Sequence, residues 1–268
     1  MKEFIINKND SGKRMDKFLR KAMPNLPDSM LFKCLRLKKI KLNGKRARAD
    51  DRILEGDTVS VYLNDEFFDG KTESDFRDIR PDFNIVFEDE NILIADKPAG
   101  VSVHAGNQNE SNTLIAQIQA HLYSKGEWNP DFENSFAPAL CNRIDRNTGG
   151  LVIAAKNAES LRIINEKIKN REIKKFYLCI VHGRPAPPSG TLKGYIIKDS
   201  VNNRVYVKKS PQPGAKAAIM KYKTLITRGG LSLVECELIT GRTHQIRAQM
   251  ADAGTPLLGD GKYGFNRD

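Results

Sequence analysis

A single carboxylate, Asp145, stands between Arg143 and Arg146 in the run Asn142-Arg143-Ile144-Asp145-Arg146-Asn147-Thr148-Gly149-Gly150. A stretch this rich in Asn, Thr and Gly does not sustain a helix, and the apolar Leu151-Val152-Ile153-Ala154-Ala155 that follows reads as a buried strand. A loop pinned to a strand can hold a reactive group still. The flanking cations favour the ionised form of Asp145 and offer contacts to a polyanionic substrate, although taken alone the aspartate reads first as a turn cap. Tyr177, at the start of the apolar strand Phe176 to Val181, and Arg247, in a helix near the carboxyl end, are two further candidates. Each by itself also has an ordinary reading, as a core aromatic and as a solvated helix residue.

The 268 residues suffice for two domains, or one large and one small. A net charge of +11 and a pI near 9.4 point to an anionic partner. The excess is local. Residues 13 to 52 hold 14 Lys and Arg against four Asp, whereas residues 53 to 75 carry one Lys against seven acids. A clustered basic surface fits nucleic acid better than a small acidic metabolite. No apolar run approaches the roughly 18 to 20 residues of a membrane span, and the first eight residues have too short an apolar core for a secretory signal. The expected location is the cytoplasm. Cys34, Cys141, Cys179 and Cys236 form no Cys-x-x-Cys pair, and His104, His121, His182 and His244 are equally scattered, so the residues suggest neither a metal site nor a redox dithiol.

The elements that must position these residues can be read in order. Ser11 is a candidate cap for a helix carrying Met15, Phe18, Leu19 and Ala22 on one face, and Pro24 and Pro27 break it. A second helix is expected from Asp28 or Ser29 to about Lys38, then a hairpin turning at Asn43-Gly44 and a strand with Val59, Val61 and Leu63 alternating. Residues 64 to 83 read as a linker. Beyond it come strands at Ile85-Val86-Phe87 and Ile92-Leu93-Ile94-Ala95, a turn at Lys97-Pro98-Ala99-Gly100, and a helix marked by Leu114, Ile115, Ile118 and Leu122. A helix from Ala158 to Lys169 capped by Asn157 follows the Asp145 segment. Strands then predominate: Ala217 to Thr227 and Leu231 to Ile239 flank Gly229-Gly230 as a hairpin, and a helix from Thr243 to Ala253 stops at Gly254. The pattern predicts an α+β protein with a largely antiparallel sheet and flanking helices. Gly259-Asp260-Gly261-Lys262-Tyr263-Gly264 imitates a dinucleotide-binding loop, but only four residues remain for the helix such a loop needs.

Four segments stand in fixed order: Asp96-Lys97-Pro98-Ala99-Gly100-Val101-Ser102-Val103-His104, Arg143 to Leu151, Lys174-Lys175-Phe176-Tyr177, and Thr240-Gly241-Arg242-Thr243-His244-Gln245-Ile246-Arg247. Together they resemble the RluA/RluD-type pseudouridine synthases, the ribosomal large-subunit RNA pseudouridine synthases, over about residues 80 to 265. The basic amino-terminal stretch separately resembles the αL RNA-binding module found ahead of such catalytic domains. The resemblance implies a small amino-terminal α/β RNA-binding domain at 1–75 and a catalytic domain at 76–268. It implies that Asp145 is the catalytic aspartate, that Tyr177 packs on the target uracil, and that Arg247 pairs with the aspartate. Arg143 corresponds to the residue that helps hold the target nucleotide out of the stack. Arg242 and His244, with Lys13, Arg14, Lys38, Lys39, Lys45 and Arg46 of the basic stretch, are the expected RNA-binding residues. One departure is Gly149, where the family usually has Ser, which is expected to loosen a turn contact.

The chemistry this implies is redox-neutral and calls for no cofactor. The bond from the sugar to the base nitrogen breaks, the base rotates, and the sugar joins carbon five. An ionised aspartate can attack the anomeric carbon, take the proton of the neighbouring sugar carbon, or add to carbon six of the ring. The expected partner is RNA, ribosomal RNA or a ribosome-assembly intermediate, with no obligate protein partner. The rival reading is a non-catalytic RNA-binding or ribosome-assembly protein that keeps the fold. An RNA methyltransferase would need a glycine-rich cofactor loop after an early strand, and the sequence has none.

Overall fold

A computed structural model of the protein describes residues 1–68, 76–106 and 110–264. The chain divides into two compact units, Met1–Glu166 and Lys167–Asp268. The boundary expected at 75/76 and the middle of the expected linker fall on residues 69–75, which lie outside the described residues.

The first unit opens with β1 (Lys2–Ile5), α1 (Met15–Ala22), α2 (Asp28–Arg36), β2 (Ile40–Leu42), β3 (Lys45–Arg46) and β4 (Thr58–Val61), whose strands lie in the antiparallel order β1-β4-β2-β3. This segment has its own core, in which Phe4, Met15, Phe18, Leu19, Leu31, Ile40, Val59 and Val61 are buried together. The hairpin forms as expected because Asn43 (φ 51°) and Gly44 (φ 75°) both accept the left-handed backbone of a two-residue turn. Ser11 is not the cap of α1. Its hydroxyl instead accepts the Glu55 N–H, and residue 14 is held extended in a bridge with Arg52, so the helix starts only at Met15. The second helix stops two residues early. Lys38 turns left-handed (φ 61°), and the N–H groups of Lys38 and Lys39 reach back to the Leu35 and Cys34 carbonyls.

The same unit continues through β5 (Asn84–Glu88), β6 (Ile92–Lys97), α3 (Leu114–Ser124), β7 (Ala139–Leu140), β8 (Gly150–Ala155) and α4 (Ala158–Lys169), whose last three residues belong to the second unit, with strand order β5-β6-β8-β7, all antiparallel. Asn157 caps α4, accepting the Ser160 N–H at 2.8 Å. Burial alone would raise the Glu88 carboxyl, but hydrogen bonds from Lys156, Lys125 and His121 hold it down at about 2. The basic segment is tied to the loop before β7: Asn7 and Asn9 both donate to Glu133, Lys13 donates to Ser135, and Asn134 donates to the Ile5 carbonyl.

The second unit holds β9 (Phe176–His182), β10 (Ser189–Asp199), β11 (Arg204–Lys208), β12 (Lys216–Arg228), β13 (Leu231–Leu238) and α5 (Gln245–Asp252), in the order β11-β10-β12-β13-β9. Every pairing is antiparallel. Met220, Tyr222, Val234, Cys236 and Met250 form one of its cores, with Tyr177 and Ile246 packed against it. The last helix begins two residues later than expected because His244 is left-handed (φ 51°). These antiparallel sheets with flanking helices make the protein α+β, as its sequence pattern predicts.

Candidate active site

In the first unit, strand register brings two loops together. β6 ends where β8 begins, with Lys97 opposite Gly150, so the turn after β6 and the Asp145 loop leave the same end of the sheet. They are bonded in both directions. Gly100 N–H donates to the Arg146 carbonyl at 2.8 Å, and Arg146 Nε donates to the Gly100 carbonyl at 2.9 Å. Thr148 N–H closes the turn onto the Asp145 carbonyl, buried Ile144 anchors it, and the Asn142 amide bonds the backbone of Leu151 and Ile153. Asp145 is half-buried between exposed Arg143 and Arg146. Gly149 is not needed for space, since an added Cβ would lie 3.5 Å from the Lys97 carbonyl oxygen and 3.8 Å from the Ala99 nitrogen, which are ordinary contacts.

The residue that pins this loop is Lys97. Its side chain is fully buried, and Nζ donates to the carbonyls of Pro98 at 2.8 Å, Val101 at 2.7 Å and Arg146 at 3.0 Å. Three acceptors match the three N–H bonds of an ammonium, whereas a neutral amine has only two to give. Burial pushes Lys97 below the usual lysine range, and the charge of Asp145 works the other way. The sequence pattern does not by itself single out Lys97 as a site residue, though a lysine closing an apolar strand just before a proline is a usable signal. Lys97→Met should fill the same space yet leave the Pro98 and Val101 carbonyls without their Nζ donor and take one of two donors from the Arg146 carbonyl, a loss of about 1–3 kcal/mol. Urea titration checks this, and a midpoint equal to that of the unaltered protein would show the carbonyls are met in another way.

In the second unit, Tyr177 lies opposite Cys236 of β13 and is half-buried, on the core-facing side of β9 with Cys179 and Val181. Arg247 is in the first turn of α5. Its guanidinium makes a two-point pair with Asp260, Nε to Oδ2 at 2.7 Å and Nη2 to Oδ1 at 2.8 Å. Buried Gln245 fastens the preceding loop to the helix, since its Oε1 accepts from the Thr240 hydroxyl and the Arg242 N–H. Arg242 Nε donates to the Ala217 carbonyl, and His244 Nδ1 meets the Tyr263 hydroxyl at 2.9 Å. The structure thus gathers Asp145 and Arg143 in one unit and Arg242, His244 and Arg247 in the other. The acidic partner of Arg247 within its own unit is not evident from sequence, because the glycine-rich segment around Asp260 reads there only as a failed dinucleotide loop.

The basic residues fall into two groups. Lys38, Lys39, Lys45 and Arg46 are exposed along the end of α2 and the β2–β3 hairpin. Lys13 is paired with Asp10 at 2.7 Å and Arg14 with Asp16 at 3.0 Å. Among the described residues, no group of three or more His, Cys, Asp or Glu side chains is placed to hold a metal ion.

Comparison with known proteins agrees on one family. The family model described as RNA pseudouridylate synthase matches residues 91–252, which include Asp145, Tyr177 and Arg247. An uncharacterised RNA pseudouridine synthase of Mycoplasma pneumoniae is 35% identical over 267 residues, covering 97% of this chain and 80% of that protein. The ribosomal large subunit pseudouridine synthase C of Rickettsia bellii is 33% identical over 266 residues, covering 95% of this chain and 83% of that protein. Among solved structures, human RNA pseudouridylate synthase domain containing 4 shares the fold with a TM-score of 0.55 at 24% identity, over 69% of this chain and 70% of that one.

Proposed function

This chain belongs to the RNA pseudouridylate synthase family and is an RNA-modifying isomerase, and from that premise we propose that it converts specific uridines of large-subunit ribosomal RNA to pseudouridine, in the cytoplasm. The observation that carries the catalytic assignment is the half-buried carboxylate of Asp145 on a loop pinned from beneath by Lys97 and flanked by two exposed arginines. A group held this way loses little freedom on reaching its reactive geometry. Tyr177 supplies a flat face for the uracil and Arg247 supports the charge of Asp145, while Arg143, Arg242 and His244 hold the target strand. The choice of ribosomal RNA rests on the name of the Rickettsia bellii relative. A cytoplasmic location agrees with the finding that, among the described residues, no helix is long and apolar enough to cross a membrane. Mapping pseudouridine across total RNA from cells with and without this protein tests the reading. Loss of one or a few large-subunit positions is expected, and an unchanged map would overturn it.

We further propose that residues 1–75 form the RNA-binding domain and 76–268 the catalytic domain. Lys38, Lys39, Lys45 and Arg46 make the phosphate contacts, and Lys13 and Arg14 add charge already partly met by Asp10 and Asp16. Changing the four exposed residues to Gln should lower the slope of log affinity against log salt by about 0.7 to 0.9 for each phosphate no longer neutralised. Filter-binding titrations at several salt concentrations measure it. Identical slopes would reduce the basic cluster to a solvated surface.

A further inference from the structure

The segment Gly259-Asp260-Gly261-Lys262-Tyr263-Gly264 has an order of its own. Its turn is closed by the Gly264 N–H on the Asp260 carbonyl, at 2.7 Å, and a Cβ on Gly264 would run into that same oxygen. Glycine is therefore required there by close backbone approach. The closed turn aims the Asp260 side chain, which is 4% exposed, at α5. Oδ2 accepts Arg247 Nε, and Oδ1 accepts Arg247 Nη2 with the N–H groups of Lys262 at 3.0 Å and Tyr263 at 3.1 Å. Burial would raise this carboxyl, but the bonds from Arg247 and the two backbone N–H groups bring it below the usual aspartate range. The Tyr263 ring lies 5.2 Å from the Arg247 guanidinium and 5.3 Å from that of Arg204, and its hydroxyl meets His244 Nδ1 and the Val205 N–H.

We propose that Asp260 is a positioning residue for the isomerisation, holding the Arg247 guanidinium by its Nε edge so that its other N–H bonds point in one fixed direction, with Tyr263 setting the plane. The inference rests on the reading of Arg247 as a catalytic residue and gives that residue its support. A guanidinium has five N–H bonds in a rigid fork. Two are committed to Asp260, which stops rotation about the Cδ–Nε bond, and the other three lie in the same plane and point away from Asp260. An arginine without such a brace would sweep many rotamers and lose part of its effect on the reacting groups.

The test is a double-mutant cycle in the full-length protein, using large-subunit ribosomal RNA transcribed with uridine tritiated at carbon five. Asp260→Asn should lower the saturated single-turnover rate about tenfold and leave the half-saturating RNA concentration within about twofold. In an Arg247→Ala background it should cost less than about twofold, because the group it positions is already gone. Added methylguanidinium should partly restore Arg247→Ala but not the double variant, since only Asp260 would seat the free cation. A purely structural aspartate would lower the rate by the same factor in both backgrounds and would not decide the rescue. That pattern overturns the inference, as does an unchanged saturated rate in Asp260→Asn when Arg247→Ala is slow. If Arg247→Ala itself reacts at the full rate, the underlying reading of Arg247 fails instead. Should Asp260→Asn not fold by circular dichroism, Asp260→Glu, which keeps the charge but lengthens the arm, enters the same cycle with the same criteria.

Discussion

The Asp145→Asn protein is expected to bind RNA within a few-fold of the unaltered protein and to form no measurable pseudouridine, a loss of at least about a thousandfold in turnover. The amide matches the carboxylate in shape but cannot act as a nucleophile or a base. The loop itself should survive. It is held by Lys97, by the reciprocal Arg146 and Gly100 bonds, by Asn142, and by the main-chain carbonyl of Asp145, all of which the substitution leaves in place. Release of tritium from carbon five of labelled uridine follows the reaction, with filter binding as the control. Appreciable turnover by a pure preparation would remove Asp145 as the catalytic group, and a matching loss of affinity would move its role from chemistry to binding.

Arg247→Ala should lower the saturated rate at least about tenfold while leaving the half-saturating RNA concentration within about twofold. Stability should fall as well, by about 3 kcal/mol or more, because Asp260 is left buried without its cation. Arg247→Lys should recover only part of both effects, since an ammonium restores the charge without the planar two-point hold. An arginine that only touched phosphate would behave differently, raising the half-saturating RNA concentration while leaving the saturated rate alone. Single-turnover rates across a range of enzyme concentrations for both variants separate these outcomes. An unchanged saturated rate in Arg247→Ala would take Arg247 out of the catalytic set.

Residue by residue, what is legible in the sequence follows a physical rule. Turns at Asn43-Gly44 and Gly229-Gly230 and the Asn157 cap can be read because left-handed backbone and capping oxygens are properties of the residue types at those positions. Buried faces such as Met15, Phe18 and Leu19, or Leu114, Ile118 and Leu122, are legible because helical period alone places them. The ordered motifs around Asp145, Tyr177 and Arg247 are legible enough to name the family. What stays hidden depends on partners far away in the chain. β1 forms only by pairing with β4, more than fifty residues on, and the Ser11 hydroxyl accepts the Glu55 N–H instead of capping α1. Lys97 becomes the pin of the Asp145 loop only once β6 and β8 align to bring the Arg146 carbonyl to it, and Asp260 becomes the brace of Arg247 only when its turn folds back on α5. A buried donor or acceptor must find some partner, because leaving it unmet costs about 1–3 kcal/mol, but only the packed chain decides which one it meets.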